Sequence, residues 1–245
     1  MPYAQAKIME NENKKEEASM RIMGGRLITA EGQEFENGYV DFKDGVITAF
    51  GDITEAGPAE GEVYDAEGGY IMPGFIDAHI HLESSLVSPS EFVRAVIPHG
   101  TTTVITDPHE ITNVMGTDGI DYMLSATEEL PVDVRFMIPS CVPASPVDES
   151  GANLDHRDID SFFLHPRVQG LAEMMNFPGI INADSLPVAK IVASQAHHKK
   201  IDGHAPGLKG KALNAYISAG VYSDHECADL EDALLKLRLG QFIMV

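Results

Sequence analysis

Histidines and carboxylates recur in this sequence at the ends of short apolar runs. In Phe75-Ile76-Asp77-Ala78-His79-Ile80-His81, the residues Ile76, Ala78 and Ile80 alternate with Asp77, His79 and His81, the period-2 pattern of a strand. His79 and His81 then point to one side, roughly 7 Å apart at about 3.3 Å of rise per residue. Two imidazoles so placed can converge on one metal ion, while the Ile/Ala face packs behind them. Four further runs end in the same kind of residue: Asp107-Pro108-His109-Glu110, Glu173, Asp202-Gly203-His204 and Ser223-Asp224-His225-Glu226. One such terminus could be accidental, and His109 could be a solvated loop histidine. Five in register are hard to obtain from a merely structural sheet. Imidazole and carboxylate donors suit zinc, manganese or iron, and two such ions bridged by a carboxylate suit hydrolysis.

The elements that must carry these residues follow from periodicity and punctuation. Strand candidates are 75–81, 102–107, 133–139, 168–174, 200–204, 221–225 and 241–245, with helices expected at 90–98, 117–130, 155–164, 185–197, 208–219 and 228–239. The helices stop at Gly100, Gly220 and Gly240 or before Pro131 and Pro166, the usual Gly and Pro signals. Strands alternating with helices argue for parallel βαβ units, because parallel neighbours need a crossover. Six units and a seventh strand predict an α/β fold, a (β/α)8 TIM barrel that breaks off in its seventh strand, with its chemistry at the C-terminal strand ends. No Gly-rich phosphate turn follows an early strand, which weakens the dinucleotide-binding alternative. Upstream, strands are expected at 21–23, 26–28, 39–42 and 46–50, with Asp44-Gly45 as a hairpin turn. The chain therefore divides into a solvated leader (1–19), part of a small β-sandwich (20–72) that needs further strands, and the barrel (73–245).

Composition narrows the function. The 245 residues carry 17 Lys and Arg against 38 Asp and Glu, a formal net charge of −21. Such a surface repels phosphate backbones, so no nucleic-acid partner is expected. No apolar run is long enough to span a membrane, and residues 1–20 lack a signal-peptide core. A soluble, cytoplasmic protein with no membrane partner is the expectation. Cys141 and Cys227 form neither a disulfide framework nor a metal-binding Cys pair, and no base is paired with Cys141. His197-His198 beside Lys199-Lys200 reads as a solvated cluster at a helix end.

Pro73-Gly74-Phe75-Ile76-Asp77-Ala78-His79-Ile80-His81 resembles the amidohydrolase superfamily, metal-dependent hydrolases built on a (β/α)8 barrel with a small β-sandwich. Gly24-Gly25-Arg26-Leu27-Ile28 and Asp44-Gly45-Val46-Ile47 resemble that sandwich. More narrowly, His81-Leu82-Glu83-Ser84-Ser85, Thr106-Asp107-Pro108-His109-Glu110 and Ala172-Glu173-Met174-Met175-Asn176-Phe177-Pro178-Gly179 resemble the prokaryotic adenine deaminase branch. The likeness runs over residues 20–245.

The resemblance implies a binuclear divalent metal centre, manganese first, with iron or zinc as alternatives. His79 and His81 would bind one metal, His204 and His225 the other. Glu173 would bridge them, in the place of a carboxylated lysine in hydantoinase-like relatives. Glu173, His204 and His225 would be catalytic, and His109 and Glu110 would help bind substrate or another metal. Hydroxide produced on the metals would attack C6 of adenine, giving hypoxanthine and ammonia in purine salvage and adenine catabolism. The Cys-based zinc motif of other nucleobase deaminases is absent. Adenine is then the small-molecule partner, and a homo-oligomer is compatible with the sequence. Family members also place an essential Asp on an eighth strand. That strand would lie beyond Val245, so the chain is expected to be an incomplete and inactive fragment. The alternatives are another amidohydrolase acting on a cyclic amide or amidine, and a catalytically silent relative.

Overall fold

The computed structural model describes residues 19–144 and 147–244. They form two compact units, one up to Gly74 and one from Phe75. The predicted leader lies outside the described residues except for Ser19, which opens the first strand.

The first unit is one five-stranded sheet: β1 (Ser19–Ile28), β2 (Glu34–Lys43), β3 (Val46–Asp52), β4 (Glu62–Asp65) and β5 (Tyr70–Ile71). The order is β3-β2-β1-β4, with β5 also on β1. The Asp44-Gly45 hairpin forms, pairing Lys43 with Val46. The two strands expected at 21–23 and 26–28 are a single one. Gly24 takes φ +77°, and a Cβ at Gly25 would lie 2.4 Å from the carbonyl of Gly69. These glycines bend β1 at a register irregularity instead of ending it. β4 and β5 escaped the sequence reading because four and two residues are too few to show a period. Leu27, Val40 and Ile71 form a small core.

In the second unit the parallel strands β6 (Phe75–Ile80), β7 (Thr101–Thr106), β8 (Asp133–Ile138), β9 (Val168–Met174) and β10 (Lys200–Gly203) lie in chain order. β11 (Ser223–Asp224) and β12 (Phe242–Ile243) pair in parallel beyond them. The Tyr222 amide donates to Ile201 and that of Phe242 to Tyr222, which continues the order. β8 and β9 are almost wholly buried, as expected of parallel strands covered on both faces.

Among the described residues eight α-helices connect these strands: α1 (Pro89–Val96), α2 (His109–Met115), α3 (Thr117–Ala126), α4 (His156–Asp160), α5 (Phe177–Ile181), α6 (Ser185–Ala196), α7 (Gly210–Ser218) and α8 (Leu230–Arg238). Ser88 caps α1, an Asp155/Asp158 capping box opens α4, and Asp229 caps α8. The short helices α2 and α5 were not expected. Both begin inside strand-end stretches that read as loops. Ile120, Met123, Ile159, Phe163, Ile191 and Tyr216 pack on the sheet.

Two expectations need correction. The Ile/Ala face of β6 packs only at Ile80, which meets the core: Ile76 is 64% exposed and Ala78 is exposed. β6 is the edge of its sheet, and a cleft of about 1060 Å³ runs between it and Ile243-Met244. The cluster at 197–200 is not simply solvated. His197 Nε2 lies 3.0 Å from Asp160, and Lys199 Nζ donates to the carbonyl of Val168 at 2.6 Å.

Candidate metal centre

The strand ends converge on one carboxylate. Glu173, the penultimate residue of β9, is 3% exposed. Its Oε2 lies 2.7 Å from His204 Nδ1 and 3.0 Å from His225 Nε2. Its Oε1 lies 3.2 Å from His109 Nδ1 and 3.5 Å from His81 Nε2. Asp107, immediately after β7, sits 3.1 Å from His109 Nδ1 through its side chain and 2.8 Å from His81 Nδ1 through its carbonyl. His79, on β6, stacks its ring on that of His225 with centroids 3.8 Å apart. That contact shows how far the sheet curls, because β6 and β11 are five places apart in its order.

All five residues given metal roles from the sequence are thus together, and the rings of His79 and His81 meet edge-on with centroids 4.8 Å apart. Donor atoms of His79, Glu173 and His225 lie within 4.8 Å of one another, and so do those of His81, Asp107, His109 and Glu173. A third group joins His204, His225 and Glu226. His109 lies inside the cluster, and Glu110 sits at its margin, accepting from Ser84 Oγ at 2.7 Å, with its side chain 40% exposed. Asp107 carried no role in the sequence reading, although it stood in the quoted Thr106–Glu110 stretch. Its place one residue past a strand was the available signal.

Charge in the cluster is strongly redistributed. Burial would raise the Glu173 carboxyl, but hydrogen bonds with His204 and His225 hold it well below the ordinary carboxylate range. Burial would lower His109, yet Asp107, then Glu110 and Glu173, lift it to about 9. Burial and the neighbouring His225 pull His79 down to about 4. Burial drives Asp107 up, and Asp202 to about 6. The Cys141 thiol is pushed up by burial, the reverse of what a nucleophile needs.

The donor set fits divalent cations. His79 Nε2, His225 Nδ1, Asp107 Oδ1 and Glu110 Oε2 are buried without a hydrogen-bond partner, whereas buried polar atoms are ordinarily satisfied. Three of these atoms, on His79, His225 and Asp107, belong to residues grouped with Glu173, an imidazole and carboxylate set of the kind that suits first-row metals.

Residues 70–244 match the model of the amidohydrolase family. The chain belongs to the amidohydrolase family. Among curated relatives in that family, it is 55% identical over 181 residues to adenine deaminase of Desulfatibacillum aliphaticivorans, covering 74% of this chain and 32% of that protein. It is 45% identical over 232 residues to adenine deaminase of Kosmotoga olearia, covering 94% of this chain and 40% of that one. The chain therefore spans roughly a third to two-fifths of the length of these relatives. Among solved structures it resembles the N-acyl-D-glutamate deacylase of Bordetella bronchiseptica, with a TM-score of 0.63 at 18% identity over 93% of this chain and 58% of that one. It also resembles a triazine hydrolase variant, with a TM-score of 0.61 at 14% identity over 93% and 65%. These two share its barrel fold. No helix among the described residues is long and apolar enough to cross a membrane.

Proposed function

We propose that the protein deaminates adenine hydrolytically, giving hypoxanthine and ammonia, at a centre for two divalent cations of which manganese is the first choice. The observation that carries this reading is the division of the histidines by Glu173, with His204 and His225 at one oxygen and His109 and His81 at the other. The likeness to adenine deaminases supplies the substrate.

His79 and His81 would hold one cation and His204 and His225 the other, with Glu173 shared; Asp107 and His109 lie in the same cluster. Divalent cations bound there supply an ionised water near neutral pH and offset charge that develops on the substrate. Glu173 keeps its negative charge well below neutral pH and so presents both oxygens for sharing. Glu110 stands at the exposed margin, fixed by Ser84, where it can accept a hydrogen bond from the amine of adenine. Departure of ammonia needs a proton at that nitrogen, which Glu110 would relay. Such chemistry would serve purine salvage.

The test is ammonia release from adenine by the full-length protein, stripped of metal and then reloaded with Mn²⁺, Fe²⁺ or Zn²⁺. Turnover that appears only after reloading is the expected result. Hydrolysis of a cyclic amide such as hydantoin, with adenine untouched, would assign the protein to another branch of the family. Metal binding without turnover on either substrate would mark a silent relative.

A further inference from the structure

Behind His204 and His225 lies a closed ionic network that the proposed chemistry does not use. Lys236, on α8, is fully buried, as are Asp224 at 0% and Asp232 at 1% exposure. Its Nζ lies 3.1 Å from Asp224 Oδ2, 3.1 Å from Asp232 Oδ2 and 2.9 Å from the carbonyl oxygen of Ala205. An ammonium has three N–H groups, and here each has a partner.

The two carboxylates reach onward to the chain beside the histidines. Asp224 accepts from the amides of Ala205, at 3.1 Å, and Glu226, at 2.8 Å. Asp232 accepts from those of Gly207, at 3.1 Å, and Ala228, at 3.2 Å. Ala205 follows His204 and Glu226 follows His225, so each loop is tied to both carboxylates. One cation holds those carboxylates together. Without it, two buried negative charges would face each other across the space it fills, and unpaired buried charge is strongly unfavourable.

We infer that Lys236 is a positioning residue for His204 and His225, fastening both loops at the distance at which the two imidazoles meet Glu173. This rests on the metal-binding reading proposed above. Partners outside the ligand set typically change metal affinity by about 10–100-fold when lost, and Lys236 acts on two ligands at once.

The test compares two lysines of the same unit in the full-length protein. Lys236→Met removes the cation of the network. Lys199→Met removes a lysine that ties down Val168, at the end of β9 remote from Glu173. Mn²⁺ affinity, measured by competition with a chelating dye, is expected to fall about 10–100-fold in Lys236→Met and to stay within about twofold in Lys199→Met. In the metal-free protein, amide exchange at Ala205, Gly207, Glu226 and Ala228 should accelerate in Lys236→Met alone. Wild-type affinity and exchange in Lys236→Met, or equal losses in both variants, would overturn the inference. If Lys236→Met does not fold, Asp232→Asn keeps the volume and removes one charge. It should show the same two changes in milder form, and unchanged values would again overturn the inference. A wild-type protein without Mn²⁺ affinity overturns the metal reading together with this one. Wild-type affinity without adenine turnover removes only the substrate, and Lys236 is then judged on the binding and exchange data.

Discussion

The histidines at Oε1 of Glu173 are supported from within the stretches that carry them, whereas those at Oε2 are supported by helices elsewhere in the chain. On the first side, His81 and His109 both meet Asp107, Ser84 holds Glu110, and Glu83 accepts the amide of Ile111 at 3.1 Å. On the second, Tyr216 of α7 donates its hydroxyl hydrogen to the carbonyl of Met174 at 2.8 Å and accepts from the amide of His204 at 3.0 Å. Lys236 and Asp232 of α8 complete that support. One half-site is therefore built by its own motif, and the other by the packing of the fold. Substitutions should separate them.

The largest effect is expected where the two halves share a group. Glu173→Gln keeps the shape but removes the charge that faces four histidines, so metal should be lost from both sides. The loss of affinity should exceed the roughly 10–100-fold typical of a partner outside the ligand set, and adenine turnover should fall with it. Metal content after dialysis is the measurement, and a fully loaded Glu173→Gln protein would end the idea of a shared carboxylate.

Tyr216→Phe addresses the Oε2 side alone. It leaves the Met174 carbonyl and the His204 amide without their partner inside a fully buried region. Each such group costs about 1–3 kcal/mol, so denaturant unfolding should show a loss of about 2–6 kcal/mol if both are stranded. A loss below about 0.5 kcal/mol would mean that the backbone finds other partners, and the contrast between the halves would weaken.

The smallest effect belongs to the Oε1 side and depends on pH. His109 is raised from 6.5 to about 9. A folded pKa above the unfolded one contributes stability that is complete below pH 6.5 and disappears as pH rises through 9. His204, raised by its hydrogen bond to Glu173, adds in the same sense. Glu83, raised by burial to about 7, and Asp202 at about 6 titrate mainly below this window. The metal-free protein should therefore lose about 1–3 kcal/mol between pH 7 and 10. His109→Asn should reduce that loss. A flat profile in the wild type would show that the charges around His109 do not act on it in the folded state.

The same contrast governs what the sequence could reveal. All seven barrel strands and six of the eight helices could be read from period-2 runs and Gly or Pro stops, because parallel strands and their crossovers leave a repeating texture. His79, His81, Glu173, His204 and His225 could be read because each stands at the end of such a run. β4, β5, α2 and α5 are too short, or begin too close to a motif, to leave a period. Tyr216 and Lys236 were not legible for a different reason. In an amphipathic helix a tyrosine reads as core and a lysine as solvent-facing. Their importance depends on contacts with residues 12 and 31 positions away, which no local pattern encodes.

The stacking of His79 on His225 also has a meaning in time. His79 lies on the first barrel strand and His225 directly follows the sixth, so their rings can meet only after the strands between them have assembled. Contacts that span so much chain form late, because the loop they close carries a large entropic cost. The cation site should therefore be among the last parts of the barrel to appear during refolding, with metal capture lagging behind the rise of helical signal. A cation that binds only the finished arrangement would then act as a latch, drawing the final closure towards completion by mass action.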